Sequence, residues 1–259
     1  MSAKLNRRQL LLTTLAGVLA QTLPRVAQAA TPKRVLLLGD SMIAGALGLF
    51  LEKSLRKQFG YEVQRKGKSS SGLARPDFFN WMKEGKRQIE AFPHADAIVV
   101  MFGGNDVQGL KMGRGDNWIR WPDEGWRDEY ARRVTAFADL VAPNGKHLFW
   151  IGMPVMRPEK FHLRVQKVNT IFRAEMAIRP GGHFVDIWRL LADEKGNYAD
   201  RIRLEPDSKK VRVRAGDGIH LSVAGAHHIT NTVRDVIHTT LAGSPADPPQ
   251  PPNPPAQPA

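Results

Sequence analysis

Between Arg34 and His238 short apolar runs alternate with longer amphipathic stretches, and that alternation restricts the architectures open to the chain. Arg34–Leu38, Glu62–Arg65, Ala97–Phe102, His147–Ile151 and Phe184–Ile187 have the length and apolar character of strands. Ala44–Phe59, Phe78–Ala91, Asp128–Val141, Glu159–Ile178 and Val223–Leu241 carry helical patterns. Gly60, Pro143-Asn144-Gly145 and Pro180-Gly181 mark helix ends, and Pro76-Asp77 is expected to open the second helix with Asp77 as its cap. Strands separated by helices of this length are joined by right-handed crossovers, which lay them parallel and cover both faces. The predicted fold is therefore α/β, with three layers (α/β/α) around a doubly wound, mostly parallel five-stranded sheet. No internal repeat interrupts it.

Two segments depart from the rhythm. Gln108–Trp126 is a glycine-rich loop holding Trp118, Trp121 and Trp126, and Arg201–Arg214 alternates basic and apolar residues as a small exposed hairpin would. Long loops in compact domains are usually functional or disordered.

The ends differ from the middle. Residues 1–29 begin basic (Lys4, Arg7, Arg8), continue apolar from Leu10 to Leu19 and finish at Ala27-Gln28-Ala29, the layout of a cleaved export signal. Arg7-Arg8 fits a twin-arginine signal, a plain secretory signal being the alternative. The apolar stretch is too short to favour a membrane anchor, so membrane contact is expected only in transit. Residues 244–259 are mostly Pro, Ala, Gln and Asn and are expected to form a disordered tail. The domain is thus assigned to residues 30–243 and to the periplasm or another exported location.

Of the formal charge of +13, four units belong to Lys4, Arg7, Arg8 and Arg25, which leaves +9 for the mature chain. A basic exported protein meets anionic polysaccharide or membrane surface rather than nucleic acid. The absence of cysteine excludes disulfides, thiol nucleophiles and thiolate metal sites. No His, Asp or Glu set has metal-ligand spacing, and neither metal nor cofactor is expected. Gly67-Lys68-Ser69 fails as a phosphate loop, because Glu62 stands where the first glycine is required.

Residues able to do chemistry fall where strands end. Gly39-Asp40-Ser41 follows the first strand, Ser69-Ser70-Ser71-Gly72 the second and Gly103-Gly104-Asn105-Asp106 the third, while Asp217-Gly218-Ile219-His220 precedes the closing helix. In a parallel sheet the loops after the strands share one edge. A serine hydroxyl needs a base to take its proton as it attacks. His220 can do so through one ring nitrogen while Asp217 fixes the other. The oxyanion then requires donors, for which the amides of Ser41 and Gly72 and the side chain of Asn105 are candidates. Gly72 is expected to be glycine because a side chain would crowd the substrate. Each residue also has a plainer use. Ser41 would serve as a helix cap, Asn105 as a turn former, and His220 alone as a structural histidine. Their joint occurrence in this order favours chemistry.

These four blocks, in this order, resemble those of the SGNH (GDSL-type) hydrolases across about Lys33 to Leu241. Gly72-Leu73-Ala74-Arg75-Pro76-Asp77-Phe78-Phe79 and Asn105-Asp106-Val107-Gln108 are similar to a bacterial periplasmic subgroup of poorly defined function. The resemblance implies a flavodoxin-like three-layer fold, with Ser41 as nucleophile, His220 as base and Asp217 as its partner. It also implies Ser41, Gly72 and Asn105 as oxyanion donors. Met42 stands where leucine is usual.

The expected activity is ester hydrolysis through an acyl-serine, on small acyl (acetyl) groups of periplasmic or cell-wall carbohydrate. The same machinery acting on a sugar acceptor would make an O-acyltransferase, and a polysaccharide-binding module on an inactive scaffold is the non-enzymatic alternative. Trp118 and Trp121 are candidates for stacking on sugar, and Arg114 and Arg120 for meeting an anionic group on the substrate. His227 and His228, inside the closing helix, read as packing or surface residues.

Overall fold

A computed structural model describes residues 31–243, so the export signal and proline-rich tail expected from sequence lie outside the described residues. Five strands, β1 (Arg34–Gly39), β2 (Glu62–Gly67), β3 (Ala97–Met101), β6 (His147–Ile151) and β7 (Gly182–Val185), form one sheet in the order β2-β1-β3-β6-β7. All neighbouring pairs are parallel. Strand order reverses direction between β1 and β3, which creates a topological switch point, the place where open α/β sheets bind ligands.

Helices α1 (Ser41–Ala44) and α2 (Ala46–Phe59) lie with α6 (Val223–Gly243) on one face. Helices α3 (Trp81–Ala91), α4 (Trp126–Val141) and α5 (Glu159–Ala177) cover the other. The central strands are buried on both sides, with Val35–Leu38, Ala97–Phe102 and Leu148–Ile151 fully enclosed. This is why they read as continuous apolar runs rather than alternating ones. On the α3–α5 face Trp81, Phe102, Phe137, Trp150 and Phe172 interlock, with Trp81 and Phe102 ring centres 4.7 Å apart. No helix among the described residues is long and apolar enough to cross a membrane.

Register places the chemistry. Gly39 is level with Gly67 on one side and Met101 on the other, so the loops after β1, β2 and β3 leave the sheet at one height.

Several local expectations need correction. The first helix is interrupted at Gly45, which leaves Ser41–Ala44 as a separate turn. The second begins at Trp81 with Asn80 capping the Lys83 amide. Asp77 does not cap it, because its carboxylate is taken by Arg75 in a two-pronged ion pair. The last strand starts two residues early, at Gly182. The 201–214 hairpin is present as β8 (Arg201–Ile202) and β9 (Val211–Arg212), but its final residue, Arg214, is wholly buried rather than exposed. In the 108–126 loop, β4 (Leu110–Lys111) pairs with β5 (Trp118–Ile119). His227 is a surface residue stacked on Phe50, with ring centres 3.8 Å apart.

Candidate active site

Ser41 stands two residues beyond β1, at the switch point. Its hydroxyl does not cap the helix it opens; Asp40 does that, accepting from the Met42 amide at 2.9 Å. The freed Oγ lies 2.9 Å from Nε2 of His220. On the other side of the imidazole, Nδ1 is 2.6 Å from Oδ2 of Asp217. The second oxygen of Asp217 accepts the amides of Ile219 and His220 at 2.8 and 2.9 Å, so carboxylate and ring are fixed by the same short turn. Burial alone would raise the Asp217 pKa, but the His220 hydrogen bond and these two amides outweigh it and hold it near 2. Both side chains are 45% exposed, which leaves the imidazole open to solvent.

Asn105 leaves the sheet after β3. One hydrogen of its side-chain amide goes to the Ser71 carbonyl at 3.0 Å, and an amide carries a second. Ser71 is itself buried, donating to the Lys68 carbonyl at 2.6 Å and accepting from the Trp81 indole at 2.9 Å. The core thereby anchors the loop that carries Gly72. The Gly72 amide donates to no protein group among the described residues, and Ser41 opens a helix, where first amides lack intrahelical partners. The three candidate donors are thus brought to one rim.

Gly72 is needed for a different reason from the one expected. A Cβ there would strike the carboxylate of Asp106, not the substrate's space. Asp106 is fully buried beneath the site, accepting from Tyr130 Oη at 2.7 Å and from the Ala74 amide at 2.8 Å. Asp40 lies near it, and burial, opposed by the Met42 amide and reinforced by Asp106, pushes its pKa up to about 7. Burial raises Asp106 too, against the Tyr130 and backbone hydrogen bonds and the Arg133 charge. Arg133 spans the loops above, donating to the carbonyls of Leu73 at 2.8 Å and Lys111 at 2.7 Å. Sequence reasoning gave these buried groups no role. Asp40 and Asp106 lie inside recognised blocks, but Tyr130 and Arg133 carried no signal, because their partners Asp106 and Leu73 are distant in the chain.

The tryptophans divide. Trp126 is buried core, stacked on Tyr130. Trp121 is half-buried, edge-on to Trp126, with Arg164 5.4 Å from its ring centre; Arg164 also donates to the Val107 carbonyl at 2.9 Å. Trp118 is half-buried, with Arg75 and Lys111 5.0 and 4.8 Å from its ring centre. Arg75 follows the Gly72 loop closely, which ties Trp118 to that side of the rim. Arg114 and Arg120 extend into solvent from the same loop.

Comparison with known proteins supports the architecture. An acetylxylan esterase from Geobacillus stearothermophilus, solved as a catalytic mutant, superposes with a TM-score of 0.53 at 17% identity, over 79% of this chain and 94% of that one. An aryl esterase from M. smegmatis gives 0.55 at 14% identity (80% and 99%), and a carbohydrate acetylesterase family member from Sinorhizobium meliloti gives 0.54 at 17% (81% and 99%). At such identities the likeness speaks for the fold, which is the α/β/α fold of SGNH hydrolases. No curated protein shows significant similarity to the sequence. The family described as "Protein of unknown function (DUF459)" matches residues 34–236, and the chain, built on the SGNH fold, belongs to that family.

Proposed function

We propose that this protein is an exported serine esterase that removes small acyl groups, acetyl foremost, from carbohydrate. The observation that carries the reading is the continuous hydrogen-bonded chain from Ser41 Oγ through His220 to Asp217 at the switch point. In the proposed reaction His220 Nε2 takes the Ser41 proton as Oγ attacks the ester carbonyl. The amides of Ser41 and Gly72 and the Asn105 side chain stabilise the oxyanion. The proton then passes from His220 to the departing sugar oxygen, leaving acyl-Ser41. Water, deprotonated by His220, releases the acid and restores the hydroxyl. Throughout, Asp217 keeps Nδ1 protonated and balances the imidazolium charge.

The carbohydrate assignment draws on the printed activities of the similar structures and on the basic, exported character read from sequence. The half-exposed Asp217–His220 pair favours water over a second sugar as acceptor. Assay of the purified protein on p-nitrophenyl acetate tests the mechanism. Ser41→Ala is expected to lower kcat by about a thousandfold or more, and equal turnover by both proteins would refute it. Adding an oligosaccharide acceptor and weighing the products by mass spectrometry separates hydrolysis from transfer, and a wild type that transfers acyl groups would replace the esterase reading.

A further inference from the structure

The loop carrying Asp217 and His220 is gripped from beneath by a guanidinium that the serine chemistry leaves without a role. Arg214 ends the run Lys210-Val211-Arg212-Val213-Arg214, in which Lys210 and Arg212 face solvent, yet it has no exposed surface. Its Nη1 donates to the Val155 carbonyl at 2.7 Å. Its Nη2 donates to the carbonyls of Ile219 at 2.9 Å and Gly218 at 3.2 Å. Gly218 and Ile219 are the residues between Asp217 and His220, and Val155 lies just beyond β6. One planar fork therefore ties the base-bearing turn to the segment that follows β6.

The setting is an expensive one for a charge. The hydrogen-bond partners are carbonyls and the Met156 thioether, not carboxylates, and Nε is buried without a partner. The Tyr198 ring centre is 5.3 Å from the guanidinium carbon. Burial, offset in part by Tyr198, Asp217 and Asp200, lowers its pKa to about 10, so it remains charged at neutral pH. Burying a cation away from any carboxylate partner is costly, and only well-formed hydrogen bonds to its surroundings offset that cost. From outside, Arg157 adds a second hold, its amide donating to the Gly218 carbonyl at 3.2 Å and its Nη2 to that of Gly216 at 2.7 Å. Its side chain also lies against the Gly218 α-carbon, where φ is +72°.

We propose that Arg214 is a positioning residue, fixing the Asp217–His220 turn so that His220 Nε2 meets Ser41 Oγ. The inference rests on the reading of Ser41 as nucleophile. A lysine offers its donors from a single freely rotating nitrogen and a small residue offers none, whereas only the guanidinium presents a rigid fork that spans all three carbonyls.

The test compares full-length Arg214→Lys and Arg214→Gly with wild type. It measures kcat and KM on p-nitrophenyl acetate, thermal unfolding, and the downfield proton resonance of the His220 Nδ1–H bonded to Asp217. Arg214→Lys is expected to fold, to keep KM within about twofold and to lose on the order of 10²-fold in kcat, as small misplacements of reacting groups do. Its downfield resonance should shift or broaden. Guanidinium ion at low concentration should restore turnover to Arg214→Gly, and ammonium should not. Wild-type kcat and an unchanged resonance in Arg214→Lys would overturn the proposal, as would losses that only follow the unfolded fraction. Should wild type itself fail to cleave the ester, the functional reading falls. The resonance then decides alone, an unchanged signal counting against a positioning role and a shifted one for it.

Discussion

The α-carbon of Gly72 abuts the carboxylate of Asp106 so closely that an added methyl group would overlap both of its oxygens. Asp106 has little room to yield, because Tyr130 and the Ala74 amide hold it from two sides. Gly72→Ala must therefore displace the loop that presents the Gly72 amide. Steady-state kinetics on p-nitrophenyl acetate should show kcat reduced about 10²-fold with KM nearly unchanged, the loss expected for one oxyanion donor. An unimpaired Gly72→Ala enzyme would mean that this amide takes no part.

Asp40 makes stability depend on pH in an unusual direction. Its carboxyl titrates near 4 when unfolded but, buried, keeps its proton to about 7. Folding takes up a proton between those values, so stability falls as pH rises through that window. Asparagine retains an acceptor for the Met42 amide and removes the titration. In Asp40→Asn the difference in Tm between about pH 5 and about pH 8 should narrow, mainly through a gain at the higher pH. Parallel pH profiles for variant and wild type would exclude Asp40 as the source.

Asp217 behaves oppositely. Its folded pKa, near 2, lies below the ordinary carboxylate range, so the stability it contributes is present above that range and is lost as pH falls towards 2. Asp217→Asn should flatten the acid limb of the stability curve. It should also lower kcat by about 10⁴-fold, because an uncharged partner neither fixes the tautomer nor balances imidazolium. Retention of more than about a tenth of wild-type kcat would point to another orienting group.

The loop tryptophans should separate by assay. Trp126→Ala empties a buried site and is expected to cost about 3–5 kcal/mol in chemical denaturation. Trp118→Ala and Trp121→Ala should cost less, their rings being half-buried. If these two contact sugar, they will raise KM on acetylated oligosaccharide and spare p-nitrophenyl acetate. Equal losses on both substrates would assign them to packing.

Much of this was legible in the chain because the signals are local. Apolar runs such as Ala97–Met101 declare buried parallel strands, and three loop blocks at strand ends, with a fourth before the closing helix, supply Ser41, Gly72, Asn105 and the Asp217–His220 pair. What escaped depends on side-chain pairings that residue pattern alone does not show, whether near in the chain or far along it. Asp77 looks like a helix cap until Arg75 claims it. Arg214 looks like one more solvent-facing charge, because the carbonyl that draws it inward belongs to Val155, 59 residues away. Gly72 was correctly marked as a position of close approach, but the approaching group is a carboxylate of the protein itself.

The hydroxyl of Ser41 and the imidazole of His220 are 179 residues apart in sequence. A nascent chain thus exposes its serine early and receives the matching base almost last, after every strand of the main sheet has been made. Pairing at such separation carries a large loop-closure penalty and forms late. Fragments cut between Ser41 and Asp217 would keep the serine without the imidazole proposed to take its proton. On the proposed mechanism reactivity is a property of the finished molecule, and labelling of Ser41 by a serine-directed probe would report when the fold is complete.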